Sequence, residues 1–323
     1  MEIINSLDNL NFEKKTSVAL GNFDGIHIGH REVFRAALEA SEEQELKSLC
    51  FTFSNHPFNF ILRRDDGDPD AVKLICTEDE KISLIEDMGF DILVNVPFDE
   101  YIMTMHAHDF FDTIVRDKLN AGYVSVGFNY TYGARAMGKP DTLRAECEAA
   151  GIGLSIHDAV IVDGEVVSST LIREMIATGN MEMTAKLLGR PYSFTGTVRH
   201  GKKLGSRMGI PTINIPAPAR QMLPPNGVYF SRIHIDGNEY NSVSNIGLNP
   251  TVNEGSSQKT IETNIFDYED DAYGKEVTVC FDHFSRGERK FRDKEELFAQ
   301  IARDCENALN YRKKMIDNTF LSC

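Results

Sequence analysis

Two short segments carry side chains suited to holding phosphate. The first, Gly21-Asn-Phe-Asp-Gly-Ile-His-Ile-Gly-His30, sets two histidines three residues apart among glycines. It directly follows an apolar strand and opens a helix, a turn in which backbone N–H groups and the positive helix end face an anion. His27 and His30 then lie about one helical turn apart and can address the same phosphate. Gly29 between them lets a nucleotide approach the backbone closely. The plainer alternative is a turn glycine beside two surface histidines. The second segment, Val167-Ser-Ser-Thr-Leu-Ile-Arg173, ends a strand at 165–167 and starts a helix. Ser168 or Ser169 suits its N-cap, and Arg173 emerges one turn later. Alone this reads as a capped helix; beside the first strand end, Arg173 becomes a clamp for β- and γ-phosphates.

A third segment, Gly196-Thr-Val-Arg-His-Gly-Lys-Lys-Leu-Gly-Ser-Arg-Met-Gly209, is glycine-rich and basic. Gly201, Gly205 and Gly209 with Lys202, Lys203 and Arg207 suit phosphates, and a solvated hairpin is the alternative. In the strand that follows, Thr212 and Asn214 point the same way and offer oxygen ligands to Mg²⁺.

The elements that must position these groups follow from periodicity. In the first half, strands at 17–20, 46–53, 91–96 and 123–126 alternate with amphipathic helices at 31–40, 78–88 and 107–118. Repeats of this kind imply α/β architecture, a parallel sheet with helices on both faces and ligands at the carboxyl ends of strands. Helices at 169–177 and 181–188 follow. From 192 to about 284, short alternating runs broken by Gly and Asn turns indicate a small antiparallel β-barrel, closed by a helix at 293–314. The boundary is expected near 185–192, giving domains 1–185 and 186–323. His106-Ala-His-Asp109 suggests a metal fragment, but histidines two apart do not share a helical face, and a helix N-terminus is the better reading. Residues 63–70 read as a mixed-charge loop.

The 323 residues carry 34 lysines and arginines against 49 acids, a net charge of −15, which argues against a nucleic-acid binder or a membrane-surface protein. No apolar stretch approaches a spanning helix. The start lacks a signal-peptide pattern. Six scattered cysteines fit free thiols in a reducing cytosol. The expected partners are small molecules, with a monomer or weak homo-oligomer in the cytoplasm.

The pair Gly21…His30 and Ser168-Ser-Thr-Leu-Ile-Arg173 resembles the HxGH and SSTxxR motifs of the nucleotidyltransferase superfamily, whose domain is Rossmann-like. More narrowly, the chain resembles prokaryotic bifunctional riboflavin kinase/FMN adenylyltransferases. Phe51-Thr-Phe-Ser-Asn-His-Pro57 and Val126-Gly-Phe-Asn-Tyr-Thr-Tyr-Gly133 carry the likeness, as do Ile210-Pro-Thr-Ile-Asn-Ile215 and Asn226-Gly-Val-Tyr229. Asn245-Ile-Gly-Leu-Asn-Pro-Thr251 and Ile261-Glu-Thr-Asn-Ile-Phe-Asp267 extend it over nearly the whole chain. The resemblance implies ATP, riboflavin, FMN and FAD as substrates and products, with Mg²⁺. It implies ATP contacts for adenylylation at Gly21, Asn22, Phe23, Asp24, Gly25, Gly29, Ser168, Ser169 and Thr170, and a flavin contact at Asn129. His27, His30 and Arg173 would neutralise phosphate charge. In the second domain it implies ATP contacts at Gly201, Lys202, Gly205, Gly209 and Thr212, metal ligation by Thr212 and Asn214, and Glu262 as the general base; from sequence alone Glu262 also reads as an exposed strand glutamate. Departures are Asn129-Tyr-Thr-Tyr132 for the common Asp-Phe-Arg-Phe, Asn264 for a histidine, Ser206 for an arginine and Ile210 for a phenylalanine. A chain with one live activity, or a non-catalytic flavin- or nucleotide-binding regulator, is the alternative reading.

Overall fold

The computed structural model describes residues 1–65, 67–68, 70–199, 212–249 and 258–320, the side chains of 248, 249, 258 and 316–320 excepted. By contact it divides into two units, Met1–Leu171 and Ile172–Cys323.

The first unit is built on β1 (Glu2–Ile4), β2 (Thr16–Leu20), β3 (Lys47–Phe53), β4 (Ile92–Val96), β5 (Ala121–Gly127) and β6 (Gly153–His157). They pair in parallel, in the order β1-β4-β3-β2-β5-β6. Alternate strand residues serve opposite faces. Val18, Leu20, Leu49, Phe51, Val94 and Val96 pack with Phe110, Ile114, Val115 and Leu119 on one side. Ala19, Cys50 and Leu93 pack with Val33, Phe34 and Ala37 on the other. Both faces are therefore buried, as a parallel sheet requires. Strand order reverses between β2 and β5, which opens a crevice beyond their carboxyl ends.

The helices are α1 (Ile28–Glu43), α2 (Pro57–Arg64), α3 (Glu78–Asp87), α4 (Glu100–Thr104), α5 (Ala107–Phe110) and α6 (Pro140–Ala150). The helix expected over 107–118 is thus α-helical only to Phe110 and continues over Phe111–Lys118 as a wider π-helix. His106 caps its start and Asp109 lies in its first turn, the arrangement expected of His106-Ala-His-Asp109. α2, α4, α6, β1 and β6 are additions to the sequence reading, and Arg63 and Arg64 are helical rather than part of a loop. α6 carries Pro140 in its first turn and Gly151 beyond its end at φ 65°, boundary residues legible in retrospect. After a two-stranded ribbon, β7 (Ile161–Val162) and β8 (Glu165–Val166), comes α7 (Ser169–Thr178).

The second unit holds α8 (Met181–Leu188), β9 (Tyr192–Thr197), β10 (Thr212–Pro216), β11 (Gly227–Ile235), β12 (Asn238–Asn249), β13 (Gln258–Ile265), β14 (Glu276–Arg286) and α9 (Lys294–Phe320). The strands pair antiparallel in the order β10-β13-β12-β11-β14-β9. Just past β9, the Arg199 N–H bonds to the Asn214 carbonyl at 2.8 Å and returns the sheet to β10. This closes the expected barrel. Its inward face carries Phe194, Ile215, Tyr229, Ile233, Ile246, Ile261 and Phe281, all fully buried. A chain of buried hydroxyls, Ser231 to Ser242 and Ser244 and on to Thr263, crosses this core with every link at 2.8 Å. The division by contacts falls ahead of the 185/186 boundary expected from sequence because α8 packs on β9 and β14.

Candidate active sites

A cavity of about 630 Å³ opens in the first unit at the crevice, a size typical of small-molecule sites. Gly21, Asn22, Phe23, Asp24, His27, Gly29, His30, Ser168, Ser169, Thr170 and Asn129 all line it. Two segments 145 residues apart meet directly, the Ser169 hydroxyl donating to the Asp24 carbonyl at 3.0 Å. Ser168 is the N-cap of α7, accepting from Leu171 N–H at 3.2 Å. Gly25 and Arg173 are not among the lining residues. Gly25 serves the turn beneath: its φ is +81°, and a Cβ there would lie 2.7 Å from Ile75. Arg173 is half-buried on α7.

The histidine geometry is specific. His27 is the N-cap of α1, and its Nδ1 accepts the His30 N–H at 3.2 Å. A ring nitrogen that accepts cannot carry the proton, so neutral His27 holds its hydrogen on Nε2. The two imidazoles stack at 3.5 Å between centroids, 19° between planes. A Cβ on Gly29 would come within 3.2 Å of the His27 ring; glycine here allows the stack. Burial first, and the adjoining His27 second, hold His30 well below the usual imidazole range. Its buried Nδ1 has no hydrogen-bond partner among the described residues. In the free protein His30 is thus held in its neutral form at a helix N-terminus, a setting suited to an anion.

Motif reading missed other walls of the cavity. His56, His157, Asp158 and Arg135 line it, with Phe51, Phe53, Phe98, Phe110, Phe128, Tyr130 and Tyr132. Ser125 donates to Val33 O at 2.8 Å, so His157 Nε2–H donates to Ser125 Oγ at 3.0 Å. Desolvation lowers the His157 pKa. The aromatic clustering is visible in the Phe51-to-Pro57 and Phe128-to-Tyr132 stretches, but only as composition.

On the second unit, strand register assembles the other candidates. Thr212 lies opposite Asn264 and Asn214 opposite Glu262, and Asn245 flanks Glu262 on its other side. Directly paired residues share a sheet face. Alternation therefore puts Thr212, Asn214, Glu262 and Asn264 together on the outward face, Glu262 exposed and Asn214 buried. Asn214 Oδ1 is buried without a hydrogen-bond partner among the described residues. An oxygen left so is costly unless a ligand takes it, and a hard cation takes such oxygens. Thr212 and Asn214 therefore fit Mg²⁺. Gly201, Lys202, Gly205 and Gly209 lie outside the described residues.

A parallel domain with a cavity at its strand ends, followed by a barrel with a carboxylate and two side-chain oxygens on one face, has the layout of a two-site transferase. The family model described as FAD synthetase matches residues 10–171, and that described as riboflavin kinase matches 188–312. The bifunctional riboflavin kinase/FMN adenylyltransferase of Bacillus subtilis is 34% identical over 93% of this chain and 93% of its own. That of Haemophilus influenzae is 31% identical over 95% and 98%. A solved structure described as a macrolide-efflux protein from Streptococcus pneumoniae is 29% identical, with a TM-score of 0.86 over 95% of this chain and 98% of that one. Among the described residues here, no helix is long and apolar enough to cross a membrane. The chain belongs to the bifunctional riboflavin kinase/FMN adenylyltransferase family and is a transferase.

Proposed function

We propose that the barrel domain phosphorylates riboflavin with ATP and the parallel domain adenylylates the FMN produced, yielding FAD and pyrophosphate. The observation that carries the second step is the Ser169–Asp24 bond, which brings both phosphate-type segments to one cavity. In this step an FMN phosphate oxygen attacks the ATP α-phosphorus in line, and the bond to the β-phosphate bridging oxygen breaks. No protein nucleophile is needed; positioning and charge neutralisation carry the rate. His27 Nε2–H and the N–H groups of Ile28 and Gly29 at the start of α1 donate to the phosphates. Arg173 takes the β/γ end.

In the kinase step the riboflavin 5′-hydroxyl attacks the γ-phosphorus while Glu262 accepts its proton, and ADP leaves. Thr212 and Asn214 would hold Mg²⁺, which supplies charge neutralisation on the ATP phosphates when bound. The adjacency of Asn214 and Glu262 across β10 and β13 supports this assignment. Incubation of the pure chain with riboflavin, ATP and Mg²⁺, with flavins resolved by chromatography, tests the reading: FMN accumulates first and FAD follows. FAD absent while FMN forms would leave only the kinase alive.

A further inference from the structure

Two phosphate-bearing reactants must share the first-unit cavity, yet among the described residues its wall holds two carboxylates, Asp24 and Asp158, and a single guanidinium, Arg135, with no lysine. In a chain of net charge −15, the one fixed cation among the described lining residues has a steep local task. We infer that Arg135 binds the phosphate of FMN and selects the phosphorylated flavin over the unphosphorylated one. This rests on the adenylylation reading above.

The backbone is built to present it. Arg135 lies at φ 55°, ψ 26°, and Ala136 at φ 54°, consecutive left-handed conformations unfavourable for residues with a Cβ. Such strain persists only where surrounding structure enforces it. Here Tyr132 and Gly138 exchange N–H···O bonds at 3.2 and 2.9 Å, and Ala134 N–H bonds to Met105 O at 2.7 Å. Gly133, at φ 70°, abuts α5 so closely that a Cβ would lie 2.5 Å from Ala107 Cα. The excursion is thus clamped at its base, and Arg135 stands exposed at its tip. Its guanidinium meets no carboxylate among the described residues, which leaves it available to a ligand.

Position distinguishes the two reactants. Arg135 follows Asn129 and the stacked Tyr130 and Tyr132 rings, 5.7 Å apart, on the segment leaving β5. The nucleotide-facing groups come instead from the end of β2 and from Ser168 to Thr170. A phosphate near Arg135 therefore belongs to the reactant whose ring meets those tyrosines.

The test is initial-rate FAD formation by the full chain, with FMN varied at saturating ATP and the reverse. Arg135→Gln raises KM for FMN about tenfold, the loss expected of a charge-assisted hydrogen bond at an exposed site. KM for ATP and riboflavin phosphorylation stay unchanged, and Arg135→Lys falls between. Arg135→Asn, which tolerates the left-handed backbone, matches Arg135→Gln and so separates lost charge from lost loop geometry. An unaltered KM for FMN in either neutral variant, or a rise confined to ATP, overturns the inference while leaving adenylylation intact. A parent chain that makes no FAD from FMN overturns the underlying reading and this inference with it.

Discussion

Removing the imidazole of His30 takes away one of two stacked rings at the start of α1. If they stabilise the developing charge, His30→Ala lowers FAD formation by roughly 10²-fold, measured from supplied FMN, with riboflavin phosphorylation nearly unchanged. A second consequence is thermodynamic. Below pH 6.5, the ordinary imidazole value, the unfolded chain takes up a proton at position 30 that the folded unit excludes. Stability therefore falls as pH falls through this region and is unaffected above it. Melting temperatures between about pH 8 and 5.5 decline less steeply in His30→Gln; a slope equal to the parent's would contradict the burial of that ring. At Glu262, glutamine keeps the shape and removes the basic oxygen. FMN production falls by about 10²–10⁴-fold while adenylylation of added FMN continues, read by chromatography; a loss below threefold makes Glu262 structural.

Among the elements, α9 is anchored to β14 by a nearly buried ion pair. Arg286, the last residue of β14, donates to Asp304 at 2.6 Å, and Gln300 donates to the same carboxylate at 2.8 Å. Asp304 is 3% exposed. Removing one partner strands a charge, a loss larger than the net worth of the pair. Asp304→Ala therefore destabilises the second unit by about 2 kcal/mol, less than for a fully buried pair because Arg286 reaches water; urea denaturation measures it. A companion triad ties α8 in: Glu182 Oε1 meets His283 Nδ1 at 2.5 Å and the Tyr311 hydroxyl at 3.4 Å.

For the whole molecule, the position of α8 decides how the chain divides. A fragment beginning at Lys186, the boundary expected from sequence, discards Met181 and Thr184, both fully buried, together with Glu182. One beginning at Ile172 keeps them. We expect both fragments to convert riboflavin to FMN without FAD, the shorter being less stable by about 3 kcal/mol, as for loss of a buried methionine and its packing; calorimetry of the two decides it. Much of this organisation was legible because it is local. Helical periodicity places His27 and His30 on one turn, strand alternation points Thr212 and Asn214 the same way, and repeated strand–helix units announce a parallel sheet. The remainder depends on pairings distant in sequence. Nothing in either segment reports that Ser169 will bond to Asp24, or that β13 will pair so that Glu262 faces Asn214, since a one-residue slip would turn Glu262 to the opposite face. Arg135 was silent because its presentation comes from two left-handed residues enforced by the Tyr132–Gly138 pairing, the Ala134–Met105 bond and the contact of Gly133 with Ala107. Sequence by itself determined which groups could hold phosphate and which elements carry them; tertiary structure alone decided which of those groups meet, because register and loop strain are settled by packing.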